Sequence, residues 1–130
     1  MRILILESST TSAKAMIYDT DTKRFTVESR AYEFLNTNNA VGEQDPHHVF
    51  TTTIDIGRKL CADKSSSKGI DIIALVNTFH SVMLCDEQMN PKTPLLQWHF
   101  TGASALCREL RRDEDYTLRF YKKTGCMVNS

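Results

Sequence analysis

The chain has 130 residues, enough for one domain with its own hydrophobic core and too few for two domains of similar size. Its 16 basic residues balance its 16 acidic residues, and its apolar and aromatic contents are those of an ordinary globular protein. This balance argues against nucleic acid or an anionic membrane as a partner, because both attract a strongly basic surface. Neutral net charge does not exclude a small phosphorylated ligand, since its binding needs only local hydrogen-bond donors.

The apolar run at the N-terminus, Ile3 to Leu6, predicts a central β-strand covered on both faces. The run is too short for a signal peptide or a membrane span, so a cytoplasmic location is expected. A polar turn without glycine follows at residues 7–12. Residues 13–19 and 24–32 predict two further strands, and the short polar turns between the three strands indicate antiparallel hairpins.

A helix is predicted to begin at Asp45 and Pro46, because aspartate caps helix N-termini and proline suits the first helical position. An asparagine-rich loop over residues 36–43 precedes this helix. Apolar residues recur at helical spacing from Val49 to Cys61, and they include Phe50, Ile56 and Gly57. A Ser/Lys-rich loop at residues 63–69 is expected to end the helix.

The next segment predicts two more strands, a buried one over residues 70–76 and another over residues 82–85. A turn region with two prolines follows at residues 87–94, and residues 95–98 predict a short extended piece.

Two helices complete the prediction, one from about Ala103 to Arg112 and one capped by Asp113 and terminated by Gly125. The predicted order is therefore β-β-β-α-β-β-α-α. Three antiparallel strands, followed by a helix that crosses back to further strands, form the first half of a ribonuclease H-like fold of the α/β class.

Two groups of metal-binding residue types carry little signal. The four cysteines are scattered through a chain expected in the cytosol, so they are interpreted as small buried or half-buried residues rather than disulfide or metal ligands. His47 and His48 are adjacent in the predicted helix and point about 100° apart, so they do not share a face for one metal and are interpreted as helix-surface residues.

Five stretches occur in a recognisable order and spacing: residues 7–15 (ESSTTSAKA), 43–46 (EQDP), 77–81 (NTFHS), 86–98 (DEQMNPKTPLLQW) and 123–126 (KTGC). Together they resemble the FGGY family of carbohydrate kinases over nearly the whole chain. The family patterns are D-x-G-T-T-S-x-K-A, E-Q-D-P, a sugar-contacting loop, D-E-x-G-x-P-x-x-P-x-x-x-W and T-G. The form of the third stretch is similar to gluconate kinases, with xylulose kinase as the second choice.

The resemblance implies a ribonuclease H-like (actin-like ATPase) first domain with a mixed sheet. Residues 1–130 would be the N-terminal, partial part of that domain, and the ATP-binding second domain would lie outside the chain. The implied reaction of the parent enzyme is ATP-dependent phosphorylation of a sugar or sugar acid, most simply gluconate to 6-phosphogluconate. Phosphoryl transfer needs a base for the attacking hydroxyl, and the family's catalytic aspartate falls beyond residue 130. No catalytic residue is therefore assigned here, and the piece alone is expected to be inactive.

The implied ligands are ATP and Mg²⁺, a sugar or sugar acid, and the enzyme's own C-terminal domain. The oligomeric state is open, with a homodimer among the states considered. By resemblance, Ser9, Thr10, Thr11 and Ser12 offer hydroxyls and amides to the ATP phosphates and Lys14 offers a positive charge. Glu7 stands where the family has an aspartate near Mg²⁺, an ion that prefers carboxylate oxygen.

The sugar pocket implied by the resemblance is lined by Thr78, Phe79, His80 and Trp98. Besides Glu7, three departures from the family pattern bear on ligand binding. Ser9 replaces a turn glycine, and Phe100 and Gly102 replace the aspartate and arginine of W-x-D-x-R. The departures remove polar contacts that would orient a substrate, so a degenerate, non-catalytic binding domain is kept as an alternative.

A ribonuclease H-type nuclease shares the predicted element order and is the other alternative. That chemistry needs carboxylates on the first and fourth strands to hold two metal ions. Glu7 qualifies on the first strand, but the fourth ends in Val76, Asn77 and Thr78. The missing acid and the neutral net charge both argue against a nuclease.

Overall fold

The structure, a computed structural model, describes residues 1–35, 41–62 and 69–128. The predicted loops at 36–43 and 63–69 lie mostly outside these residues. In chain order the elements are β1 Arg2–Ser8, β2 Ser12–Asp19, β3 Arg24–Ala31, β4 Glu43–Gln44, α1 Pro46–Cys61, β5 Ile72–Asn77, β6 Leu95–Leu96, a 3-10 turn Thr101–Ala103, α2 Ser104–Leu110 and α3 Glu114–Thr124.

The larger sheet has the order β3-β2-β1-β5. β1 pairs antiparallel with β2, and β2 pairs antiparallel with β3, which confirms the two predicted hairpins. β1 pairs in parallel with β5, with Ile3 opposite Ile72 and Ser8 opposite Asn77. This register brings the carboxyl ends of β1 and β5 to the same edge of the sheet.

Helix α1 makes the crossover from β3 to β5 and begins as predicted, with the Asp45 carboxylate accepting a hydrogen bond of 2.9 Å from the His47 amide and Pro46 in the first turn. Val49 and Ile56 are buried against one face of β1 and β2. Gly57 permits close approach, because a Cβ there would lie 2.7 Å from a methyl carbon of Leu6. This interface is the main core of the described residues, and its members are Leu4, Leu6, Ala13, Ala15, Ile17, Tyr32, Val49 and Ile56.

The prediction that β1 and β5 are buried on both faces is wrong for the part of the chain that the structure describes. Ile3 and Ile5 on the face of β1 opposite α1 are only half-buried. Ile73 and Leu75 of β5 are 62% and 70% exposed. β5 is an edge strand of this sheet, and the described elements cover it only through its pairing with β1. Phe50, predicted on the apolar face of α1, is likewise exposed beside β5.

The strand predicted at residues 82–85 is also wrong. Val82 and Cys85 form only isolated bridges, to Leu96 and to Pro91. The segment has few partners because Pro91 and Pro94 lack the backbone N–H that a continuous ladder needs. A small sheet of β4 and β6 forms beside it, and β4 was not predicted.

The two C-terminal helices confirm the predicted boundaries. The Asp113 carboxylate accepts from the Tyr116 amide at 2.8 Å, and Gly125, at φ 72°, ends α3 with its amide bonded to the Tyr121 carbonyl. Of the helices described, none has the length and apolar character needed to cross a bilayer. Cys61 and Cys126 are exposed rather than buried or half-buried as expected. His48 is half-buried, with its ring packed edge-on against Tyr32, and only His47 lies on the helix surface.

Candidate functional site

A cavity of about 200 Å³ opens at the edge where the carboxyl ends of β1 and β5 meet. In open α/β sheets, ligands bind outside the carboxyl ends of parallel strands. Its walls come from three separate parts of the chain, and they are Glu7, Ser8, Ser9, Thr10, Val76, Asn77, Thr78, Phe79 and Trp98. Six of the ten residues singled out from the sequence are in this set.

The turn between β1 and β2, residues 8–12, forms one wall of the cavity and is called the hydroxyl turn below. Ser9 closes it, because the Ser9 amide and hydroxyl both donate to the Ser12 carbonyl, at 3.0 and 2.8 Å. Ser9 and Ser12 therefore use these hydrogen-bonding groups within the turn itself. Thr10 faces the cavity, and Thr11 is exposed beside it.

The replacement of a glycine by Ser9 does not strain this turn. Among the non-glycine residues that the structure describes, positive φ occurs at Lys23, His80 and Met89, and Ser9 keeps an ordinary negative φ. The left-handed conformation for which glycine is preferred is therefore not used here. A serine can take this position without backbone cost.

Glu7 and Lys14 sit opposite each other across the β1–β2 ladder and form an ion pair of 3.2 Å. Glu7 forms part of the cavity wall, while Lys14 does not. Within the described residues, no group of three or more histidine, cysteine, aspartate or glutamate side chains is placed to hold a metal. Glu7 could therefore serve Mg²⁺ only as one oxygen ligand among phosphate and water oxygens, a coordination that this ion accepts.

Thr78 fastens the loop after β5 to the end of β1. Its amide and its hydroxyl both donate to the Ser8 carbonyl, at 2.9 and 3.0 Å. On the other side of that residue, the Ser8 hydroxyl accepts a hydrogen bond from Tyr32 at 3.1 Å. These bonds fix the floor of the cavity to the core of the sheet.

Phe79 and Trp98 present large aromatic surfaces at the cavity, with exposed fractions of 73% and 59%. Trp98 therefore lies at the surface of the cavity and is not packed in the core. Its indole Nε1 donates to the Thr10 hydroxyl at 3.3 Å, so it joins the hydroxyl turn to the segment after β6.

Trp98 also lines a second cavity of about 630 Å³, together with His80 and the C-terminal end of α3. His80 has φ 60°, and its ring contacts that of Phe79 at a tilt of 58°, with the ring centroids 4.3 Å apart. A non-glycine residue in this region is uncommon, and such strained residues cluster at functional sites. The predicted sugar residues thus occupy two adjoining cavities separated by the Trp98 indole.

Phe100 and Gly102, the two residues after Trp98 that depart from the family pattern, contact each other. A Cβ at Gly102 would lie 2.2 Å from the ring of Phe100, so the ring occupies the volume above the glycine. Neither residue lines the 200 Å³ cavity. An apolar contact has taken the place of the two polar groups expected there.

Sequence reasoning missed two buried glutamines behind the cavity. Gln44 and Gln97 are 0% and 4% exposed, and their side-chain amides bond to each other. Gln44 also donates to the Thr10 carbonyl at 3.1 Å, and Gln97 accepts from the Ser81 hydroxyl at 2.9 Å. Glutamine is mostly an exposed residue, and neither position stands out by its spacing. The motif E-Q-D-P around Gln44 was the only signal in the sequence for either residue.

Comparison with known proteins relates the whole chain to one family. Residues 2–130 match the model of the "FGGY family of carbohydrate kinases, N-terminal domain". A gluconokinase of Bacillus subtilis (strain 168) is 24% identical over 127 residues, with 98% of this chain and 24% of that protein covered. A glycerol kinase of Escherichia coli O8 (strain IAI1) is 26% identical over 131 residues, with 98% and 26% covered.

Solved structures show the same fold. A gluconate kinase from Lactobacillus acidophilus superposes with a TM-score of 0.83 at 22% identity, covering 99% of this chain and 26% of that one. A xylulose kinase from Rhodospirillum rubrum gives a TM-score of 0.83 at 21% identity, covering 99% and 26%. The chain thus has the ribonuclease H-like, actin-like ATPase fold that was predicted, and it spans about a quarter of the length of these relatives.

Proposed function

The chain belongs to the FGGY family of carbohydrate kinases, and we propose that it supplies the sugar-binding and phosphate-facing part of a kinase that phosphorylates gluconate with ATP. The observation that carries the proposal is the cavity where β1 and β5 end, because it combines a turn of hydroxyl groups with exposed aromatic side chains. Hydroxyls suit phosphate oxygens, and aromatic faces with a few polar groups suit a sugar.

On the phosphate side, the Thr10 hydroxyl and the exposed Thr11 are the groups best placed to meet the terminal phosphates of ATP. Ser9 and Ser12 support this wall by closing the turn. Lys14 holds Glu7 in place and adds positive charge nearby. Mg²⁺, when bound with ATP, would neutralise phosphate charge, and Glu7 is the carboxylate positioned to hold it.

On the sugar side, Phe79 and Trp98 supply the aromatic walls and His80 supplies a polar ring in the adjoining cavity. A histidine ring can donate to a sugar hydroxyl and, when protonated, can pair with the carboxylate of a sugar acid. Thr78 keeps the loop in position through its two bonds to Ser8. Gluconate is favoured over xylulose by the loop sequence, and the gluconokinase relative supports that choice.

The catalytic base and the adenosine site are proposed to come from polypeptide outside these 130 residues, since the relatives are about four times longer. The exposed β5 supports this, because an apolar edge strand is normally paired or covered in a complete domain. The 130-residue chain by itself is then a binding unit without turnover. A cytoplasmic location remains a prediction of the same proposal, and the oligomeric state stays open, with a homodimer among the states considered.

A thermal-shift titration of the purified chain tests ligand binding, because a ligand that binds only the folded state raises the midpoint of unfolding. Gluconate and Mg·ADP are expected to raise it, with xylulose giving a smaller shift. Trp98→Ala is expected to abolish the gluconate shift, and Gln88→Ala, in an exposed turn away from the cavity, is the matched control. The proposal fails for this chain if neither ligand moves the midpoint at millimolar concentration. Turnover of gluconate by the chain alone would contradict the assignment of the base elsewhere.

A degenerate, non-catalytic binding domain is the second candidate, and the contact between Phe100 and Gly102 favours it. The polar pair that would orient the substrate has been replaced by an apolar contact. A longer protein that carries this chain and binds gluconate and ATP, yet produces no 6-phosphogluconate, would support this candidate over the kinase.

A further inference from the structure

The two buried glutamines form the middle of a hydrogen-bond chain that runs behind the cavity. The chain starts at the Thr10 carbonyl in the hydroxyl turn, passes through the amides of Gln44 and Gln97, and ends at the Ser81 hydroxyl in the loop after β5. All four nitrogen and oxygen atoms of the two amides have a partner. A buried amide with both ends satisfied is held rigidly, since breaking either bond would leave a polar group without a partner in the protein interior.

The direction of every bond in this chain is set at one end. The Thr10 carbonyl can only accept, so Gln44 must turn its NH₂ group toward it. The Gln44 oxygen then faces Gln97, which must present its own NH₂ group. The Gln97 oxygen is left to accept from the Ser81 hydroxyl. Neither amide can flip alone without setting two donors or two acceptors against each other.

The backbone around the glutamines is fixed independently of the cavity. Gln97 follows β6, and its amide donates to the Gly42 carbonyl at 2.8 Å, while Gln44 lies in β4, opposite Leu95 of β6. The two amides are therefore anchored in the small sheet and reach out to both walls. Trp98, next to Gln97, bonds the Thr10 hydroxyl, so the hydroxyl turn is tied to residues 97–98 through both its backbone and its side chain.

We propose that Gln44 and Gln97 are positioning residues, which hold the hydroxyl turn at a fixed separation from the loop after β5 and thereby set the shape of the ligand cavity. This inference deepens the proposed function, on which it rests for the identity of the ligands. Neither glutamine touches the ligand in this role. Gln44 lies behind Thr10, and Gln97 lies behind Ser81 and Trp98.

The deciding variant replaces both amides, Gln44→Met together with Gln97→Met. Methionine is unbranched and similar in length, so the volume stays filled. A single substitution would leave the remaining buried amide without its partner, whereas the double substitution leaves unpaired only the Thr10 carbonyl and the Ser81 hydroxyl, which belong to half-buried residues. Gln88→Met makes the same chemical change in the exposed turn at residues 86–90 and is the matched control.

Trp98 reports on the cavity without any ligand, because it is the only tryptophan in the chain. The double variant is expected to stay folded, with a smaller fall in its unfolding midpoint than either single variant. Its tryptophan emission is expected to shift to the red and its quenching by acrylamide to rise, because the turn that holds the indole has moved. The Kd for Mg·ADP is expected to rise about tenfold, the loss that follows when one well-placed hydrogen bond is no longer made. Gln88→Met should leave all three values unchanged.

Unchanged emission, quenching and Kd in a folded double variant would overturn the proposal, since the amides would then only fill space. If the double variant does not fold, Ser81→Ala tests the proposal instead, because it removes only the hydroxyl of a half-buried residue at the end of the hydrogen-bond series. A smaller red shift is expected there, and parental emission would overturn the proposal. Failure of the parent chain to bind Mg·ADP and gluconate would count against the proposed function, while the ligand-free emission comparison would still decide the role of the glutamines.

Discussion

Phe100 and Gly102 show how two side chains that depart from a family pattern depend on each other. The Phe100 ring lies where a Cβ on residue 102 would be, at 2.2 Å. Adding even one methyl group there requires the ring to turn away, and because residue 102 is exposed this costs less than the about 1–3 kcal/mol of overpacking in a core. Each departure therefore stabilises the other, and neither can be reverted alone without cost.

A double-mutant cycle of Gly102→Ala and Phe100→Asp measures this dependence. Gly102→Ala alone is expected to lower the free energy of unfolding by about 0.5–1 kcal/mol, because the Phe100 ring must turn away from an exposed position. In the Phe100→Asp background the same change should cost less, with a coupling of about 0.5 kcal/mol, because the ring that clashes is gone. Urea unfolding of the four proteins gives the values, and additive effects would show that the two positions do not compete for space.

Met89 has a strained backbone conformation, and its exposed side chain buries little surface to offset the strain. It has φ 64° and is 76% exposed, and it stands where the family pattern D-E-x-G-x-P has glycine. The left-handed conformation costs a residue with a Cβ roughly 1–2 kcal/mol, while glycine adopts it freely.

Met89→Gly is therefore expected to leave stability unchanged or raise it by up to about 1 kcal/mol. Gln88→Gly, one residue earlier in the same exposed turn and without positive φ, should lower stability by about 0.5–1 kcal/mol. Thermal unfolding of both variants under identical conditions supplies the comparison. A larger loss for Met89→Gly than for Gln88→Gly would refute this account of the turn.

The turn at residues 86–90 is an element organised by one carboxylate. Asp86 accepts hydrogen bonds from the backbone amides of Gln88 and Asn90 and from the Asn90 side chain, and it pairs with Lys92 at 3.0 Å. The hydrogen bond from the Asn90 side chain is the first cause that lowers the pKa of Asp86 below its ordinary value of 3.8. The ionised form is therefore the one that the folded turn favours.

The sign of the pH dependence follows from that lowered pKa. Asp86 contributes stability above its unfolded pKa, near 3.8, and the contribution is lost as pH falls through the lower folded value. Asp86→Asn is expected to lower the unfolding midpoint at pH 6. The difference between the midpoints of the variant and the parent protein is expected to shrink as pH falls below 4. Melting curves between pH 6 and pH 2.5 test this, and a difference that stays constant with pH would argue against a role for the charge.

Helix α1 depends on a glycine for its distance from the sheet. A Cβ at Gly57 would approach Leu6 to 2.7 Å, in the middle of the main core. Gly57→Val is expected to reduce the free energy of unfolding by about 2–3 kcal/mol, because the helix must move outward. Arg58→Val places the same β-branched residue on the exposed side of the helix and should cost less than about 1 kcal/mol. Chemical denaturation of the two variants separates packing from helix propensity.

At the scale of the whole molecule, the exposed β5 is the feature that separates this chain from a closed domain. Leu75 is 70% exposed and lines a groove between β5 and α1 with Phe50 and Met83. The proposed function places further polypeptide on this surface. Stability in the short chain and in a longer protein should therefore respond differently to the same substitution.

Leu75→Ser is expected to change the stability of the 130-residue chain by less than about 0.5 kcal/mol, as exposed substitutions usually do. In a protein that also carries the remaining length of the family, the same change should cost about 2–4 kcal/mol, because the side chain would be buried. Parallel melting experiments make the comparison. Equal and small effects in both proteins would show that the surface stays open.

The sequence by itself determined both antiparallel hairpins, the order of the three α-helices, the helix caps at Asp45 and Asp113, and the family. These features depend on neighbours along the chain or on motifs of a few residues, so local composition is enough to predict them. It also pointed to the turn and the loop that form the cavity, because both follow strands.

Only the tertiary structure decided which distant segments of the chain these elements contact. The exposure of β5, the loss of the strand at residues 82–85 and the matched pair of Phe100 and Gly102 all depend on which distant segment lies alongside. The same holds for Gln44 and Gln97, which are 53 residues apart and become partners only when β4 pairs with β6. A single sequence shows which residues are polar or apolar, but the partner of a buried polar group is set by contacts between segments far apart in the chain.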